Sequence, residues 1–132
     1  MSQYSSYANI GKQIDNGKQQ SFKKVYILKT KNNAHKQLII SQNKIVCVKI
    51  SANWCQPCIA ISPEYNQLSK EYASKGCVLI EQDFDQLDRS IDPETNAIPA
   101  FHFYLNKKHI SSITGSNLVK VKEQLDLMIQ SI

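Results

Sequence analysis

Two cysteines three positions apart, Cys55 and Cys58, stand in the run Trp54-Cys55-Gln56-Pro57-Cys58, directly after an apolar, strand-like segment. At the start of a helix this spacing lets the two sulfurs approach to bonding distance. The unpaired N–H groups and positive dipole end of the helix favour a thiolate on the first of them. Dithiol–disulfide exchange is the chemistry that follows. The competing use of such a pair is half of a zinc site, which requires a second ligand pair at comparable spacing. Cys47 and Cys77 stand alone and His35, His102 and His109 are scattered, so the redox use is favoured and no metal is expected.

A chain of 132 residues suits one domain with a core of its own. Its four cysteines, two in the C-x-x-C and two in apolar segments, do not make a secreted disulfide framework. They point to a reducing compartment, and the expected location is cytoplasmic. No unbroken apolar run is longer than that of Ile45 to Val48, far too short for a membrane span or a signal core, and no transit or myristoylation pattern opens the chain. The net charge of +5 is spread over lysines at 23 and 24, 29 and 31, 107 and 108, and 120 and 122. No arginine-rich or aromatic-interleaved stripe accompanies them, so neither nucleic acid nor membrane is an expected partner.

The elements that must position the cysteine pair follow from periodicity. Residues 1–21 are rich in Ser, Gln, Asn, Tyr and Gly without an apolar period, and read as a flexible extension ahead of a domain at 22–132. Val25 to Leu28 reads as a short strand, and Asn32 or Asn33 as the cap of a helix that Ser41-Gln42-Asn43 breaks. Lys44 to Ile50 is β-branched and nearly continuous, as a central strand covered on both faces would be. A helix beginning near Pro57 keeps Ile61, Tyr65, Leu68 and Tyr72 on one face, is kinked at Pro63 and ends at Gly76. Cys77 to Phe84 is the next strand, followed by a short helix around Leu87 to Ile91. Phe101 to Leu105 and Ile110 to Thr114 make a hairpin, and a last helix aligns Leu118, Val121, Leu125 and Met128 or Ile129. This order implies an α/β domain with a mixed central sheet of about five strands flanked by about four helices.

That order, with its motifs in register, resembles thioredoxin over roughly residues 22–132. The resemblance rests on Trp54-Cys55-x-Pro57-Cys58, Pro63 eight positions after the first cysteine, Glu81-x-Asp83-x-Asp85, Ile98-Pro99 before the fourth strand and Gly115 after the fifth. It implies the thioredoxin fold and a protein-disulfide reductase. Cys55 would be the exposed nucleophile and Cys58 the buried resolving thiol. Pro99 would be a cis-proline beside the pair, and Trp54, Pro57, Ile98, Thr114 and Gly115 would form a shallow groove for an extended substrate strand. Disulfide-containing proteins would be the substrates. No bound cofactor is implied; electrons would come from NADPH through a thioredoxin reductase. A disulfide oxidase or isomerase would use the same pair, and a non-catalytic binding protein on a thioredoxin scaffold would use the groove alone.

The departures from the family pattern carry their own expectations. Gln56 replaces a common glycine but keeps Pro57, which withholds a backbone donor from Cys55 and so favours a reducing couple. Ala97 replaces another frequent glycine and would narrow the groove. Five residues before Trp54, where thioredoxins carry a buried aspartate, this chain has Lys49, and Glu81 stands where bacterial members have its lysine partner. Either Lys49 and Glu81 form an ion pair below Cys58, the lysine lowering the thiol pKa and Glu81 accepting a proton, or Lys49 snorkels to solvent along its stem. Cys47 reads as a small core residue. For Cys77, at a strand start after Gly76, partial exposure with regulatory oxidation is the less favoured of two readings, and the histidines read as surface or strand residues.

Overall fold

The computed structural model describes residues 27–30 and 32–132. The expected extension 1–21 and the start of the first strand, Val25-Tyr26, lie outside the described residues. The first strand is seen as β1 (Leu28–Lys29), after which Asn32 caps α1 (Asn33–Gln42) by accepting from the amide of His35 at 2.9 Å. The apolar run at 44–50 forms β2 (Ile45–Ser51), buried along its whole length. Two helices follow, α2 (Gln56–Ala60) and α3 (Ser62–Ala73), then β3 (Cys77–Asp83), the hairpin β4 (Ala100–Leu105) and β5 (Lys108–Thr114), and α4 (Leu118–Gln130). The sheet order is β1-β3-β2-β4-β5, with β1, β3 and β2 parallel and β4 and β5 antiparallel.

Alternation along the strands builds a core on each face. Ile45 and Cys47 of β2 join Cys77, Leu79, Phe101 and Phe103 under Tyr65, Leu68 and Tyr72 of α3 and Val121, Leu125 and Met128 of α4. Val46, Val48 and Ile50 face the other way, with Val78, Ile80 and Tyr104, under Ile39 and Ile40 of α1. This is the expected mixed five-stranded sheet between helices, with the cysteine pair following its most buried strand.

Two expected helices are corrected. The segment 57–72 is not one kinked helix: it breaks at Ile61 (φ −92°, ψ 0°), and α3 restarts with Pro63 in its first turn. The Pro63 ring would meet the carbonyl four residues back, and a first turn is where its missing N–H costs nothing. The short helix expected at Leu87 to Ile91 is also absent. A single 3₁₀ turn at Phe84–Gln86, capped by Asp83, takes its place.

Side chains hold the irregular segment that runs from this turn to Pro99. Lys36 of α1 pairs with Asp92, their side chains 0% and 2% exposed, and donates to Gln82 Oε1 at 2.8 Å. Asp92 also accepts from Asn33 at 3.1 Å and from the Asp88 amide at 2.8 Å. Further along, Thr95 bonds His102 Nε2 at 2.8 Å, and His102 Nδ1 meets Ser112 Oγ at 2.8 Å. His102 and His35 are buried, the latter in a helix, which corrects their reading as surface or strand residues for His35.

Replacing Asp92 with alanine strands the Lys36 ammonium in the core. Urea unfolding is expected to show a loss of about 3–5 kcal/mol; a loss below about 1 kcal/mol would mean that Lys36 finds water instead. His102 gives a pH signature. Burial, then the nearby His109, push its pKa from 6.5 to about 4. Below pH 6.5 the unfolded chain takes up a proton that the folded one refuses, so this contribution is full above pH 6.5 and is lost as pH falls towards 4. Unfolding free energies measured across that window should fall more steeply for the wild type than for His102→Asn.

Candidate active site

β2 delivers the chain to the pair through a tight turn in which the Cys55 amide donates to Ala52 O at 3.1 Å. Cys55 is extended (φ −98°, ψ 104°) and caps α2, its Sγ accepting from the Cys58 amide at 3.3 Å. The pair is joined as a disulfide with the Cα atoms 5.3 Å apart. With only five residues, α2 supplies little macrodipole, so the stabilising donor for Cys55 is one particular amide, that of Cys58. Pro57, exposed in the first turn, offers none.

Cys58 is fully buried, as a resolving thiol should be, but Cys55 is only 5% exposed in this oxidised form and so is more covered than expected for the nucleophile. The cover comes from Phe84 and Ile98, which pack on Ala52, Cys55 and Cys58. Phe84 was not marked by the sequence, where it reads as the end of a strand. Its apolar ring just past the alternation of β3 was the available signal.

The other expected site residues divide by how they reach the pair. The Ile98–Pro99 bond is cis, and Ile98 packs directly against the disulfide. Pro99 O accepts from the Gly115 amide at 2.8 Å, and Thr114, exposed, stands in register with Ala100. Gly115 has φ +106°, a backbone that side-chained residues rarely adopt. Thr114 and Gly115 are thus tied to the site through the proline. Trp54, 66% exposed, stands edge-on to Phe84 at 6.4 Å and 88°. That exposure rules out ordinary core packing for Trp54.

Lys49 does not snorkel. Its side chain is 0% exposed, with Nζ 3.0 Å from Cys58 O, 3.0 Å from Ser62 Oγ and 3.7 Å from Glu81 Oε2. Burial pushes its pKa down, and the Glu81 carboxylate opposes that. Lys49 and Glu81 are neighbours in register on β2 and β3. Ser62, the first residue of α3, was missed because nothing local ties it to Lys49, 13 positions earlier.

The remaining cysteines stand apart from this chemistry. Cys47 is fully buried, its thiol pushed up to about 12 by desolvation. Cys77 is 2% exposed and burial pushes it up to about 11, which speaks against the less favoured reading of regulatory oxidation. Among the described residues, no group of three or more His, Cys, Asp or Glu side chains could hold a metal ion.

Comparison with known proteins agrees with this geometry. The thioredoxin family model matches residues 25–130. Thioredoxin-1 of Schizosaccharomyces pombe is 35% identical over 88 residues, spanning 66% of this chain and 84% of that protein. Thioredoxin 1 of Plasmodium falciparum is 34% identical over 89 residues, 67% and 84% of the two chains. The solved Plasmodium falciparum thioredoxin superposes with a TM-score of 0.69 at 29% identity, covering 76% of this chain and 98% of its own. Mitochondrial thioredoxin 3 of Saccharomyces cerevisiae, at 24% identity, shares the fold with a TM-score of 0.71, over 79% and 97% of the chains. The chain therefore belongs to the thioredoxin family and, with its Cys55–Cys58 disulfide, is a thiol–disulfide oxidoreductase of the protein-disulfide reductase type.

Proposed function

We propose that Cys55 attacks a disulfide of a protein substrate and that Cys58 resolves the resulting mixed disulfide. In the first step the Cys55 thiolate bonds to one substrate sulfur and the other leaves as a thiolate. In the second, the Cys58 thiolate attacks Cys55 Sγ, closes the Cys55–Cys58 bond and releases the reduced substrate. The observation that carries this division is the burial of Cys58 beneath Cys55, whose cover, Phe84 and Ile98, is only half-buried itself. An extended substrate strand would lie over Trp54, Pro57 and Ile98 towards Thr114 and Gly115, with the backbone beside Pro99 as its hydrogen-bonding edge.

Family membership supports NADPH as the electron source, delivered by a thioredoxin reductase, in place of a cofactor held by the chain itself. Cys47 and Cys77, both free thiols, support a reducing, cytoplasmic setting. The scattered lysines support protein substrates in place of nucleic acid or a membrane surface.

With insulin as substrate, Cys58→Ser should accumulate a covalent adduct on Cys55, visible by intact mass and released by dithiothreitol. Cys55→Ser should form none, and each variant should lose turnover by more than about a thousandfold. An adduct on the Cys55→Ser protein would reverse the assignment.

A further inference from the structure

A cation lies under the resolving cysteine. Lys49 Nζ donates to the carbonyl of Cys58 itself and to Ser62 Oγ, both at 3.0 Å, and Ser62 Oγ in turn donates to the same carbonyl at 3.2 Å. Its counter-charge is farther off, at 3.7 Å, on a Glu81 side chain that is 12% exposed. Glu81 is also shared, since β1 sets Lys29 beside it in the parallel register. From α3, Tyr65 turns its ring to Lys49 at 5.5 Å, and its hydroxyl is engaged by the carbonyls of Cys47 and Ile80. Lys49, Glu81, Lys29 and Tyr65 are thus the charged and titratable groups that the packed elements bring to this spot among the described residues.

We propose that Lys49 is a positioning residue for the second half of the exchange, its buried ammonium holding the Cys58 carbonyl and favouring the Cys58 thiolate, with Glu81 as a counter-ion that moderates the effect. The inference rests on the exchange reading above. A disulfide is neutral and a thiolate is not, so an incompletely neutralised cation below Cys58 stabilises the reduced pair once Cys58 ionises. A low-dielectric surround strengthens that attraction. The proton that leaves Cys58 goes to solvent or to the departing substrate thiolate, and Glu81 needs no role as a base.

The sign of two substitutions tests this. On a Cys55→Ser background, the Cβ chemical shift of Cys58, followed by nuclear magnetic resonance across pH, reports that thiol apart from Cys47 and Cys77, which burial pushes up to about 12 and about 11. Lys49→Met should raise the Cys58 pKa by about one unit or more, and Glu81→Gln should lower it. In the chains with both cysteines, plots of midpoint potential against pH should coincide at acid pH and separate above the Cys58 pKa, with Lys49→Met below the wild type and Glu81→Gln above it. Loss of structural support alone would move both variants the same way. Shifts of one sign, or none, overturn the proposal while a two-electron transition in the wild type keeps the exchange reading intact. If Lys49→Met fails to fold, Glu81→Gln decides: an unchanged or raised pKa overturns it. A wild type without a two-electron transition overturns both.

Discussion

A lysine ammonium carried on a strand with no exposure to water has to be satisfied where it stands, and here that requirement joins the strand to the reactive helix. Lys49 leaves β2 on the face covered by α3 and α4 and ends against the Cys58 carbonyl, the Ser62 hydroxyl and the Glu81 carboxylate. These three acceptors sit on α2, α3 and β3. The break at Ile61 puts Ser62 and Pro63 in the first turn of α3, where the missing N–H of the proline costs nothing. Unpaired, the charge would cost several kcal/mol, so the acceptors and the pair above them are held together.

The opposite face of the sheet solves a second problem of the same kind. Lys36 enters from α1 to meet Asp92 and Gln82, and in doing so pins the segment that replaces a regular helix ahead of Pro99. His102, kept neutral by burial, holds Thr95 of that segment from below. The backbone that reaches the disulfide at Ile98 is thus anchored at two points by polar contacts through the core. Substrate-facing loops gain precision when such supports fix them.

Much of this was legible in the chain. β2 and β3 were readable from runs of β-branched residues, α4 from its apolar spacing, and the reactive pair from a C-x-x-C behind an apolar strand, since each signal is local. The cis bond and Gly115 followed from resemblance to the family. What escaped depended on distance or on competition between local signals. Lys36 and Asp92 are 56 positions apart, and nothing near either residue announces the other. The helical period through Ile61 and Tyr65 is real, yet Pro63 divides it, and the apolar spacing of Leu87 and Ile91 yields no helix once Asp92 is drawn into the core. Lys49 was visible as an anomaly, but only the placement of Cys58 O and Ser62 decides between pairing and snorkelling.

The most direct test of the account is the reduction potential of the Cys55–Cys58 pair, titrated in thiol–disulfide buffers with Trp54 fluorescence as the probe. A single two-electron transition near the thioredoxin end of the scale, about −270 mV, is the predicted result for a protein-disulfide reductase. A midpoint at about −180 mV or higher would contradict it, placing the pair among oxidants and isomerases instead.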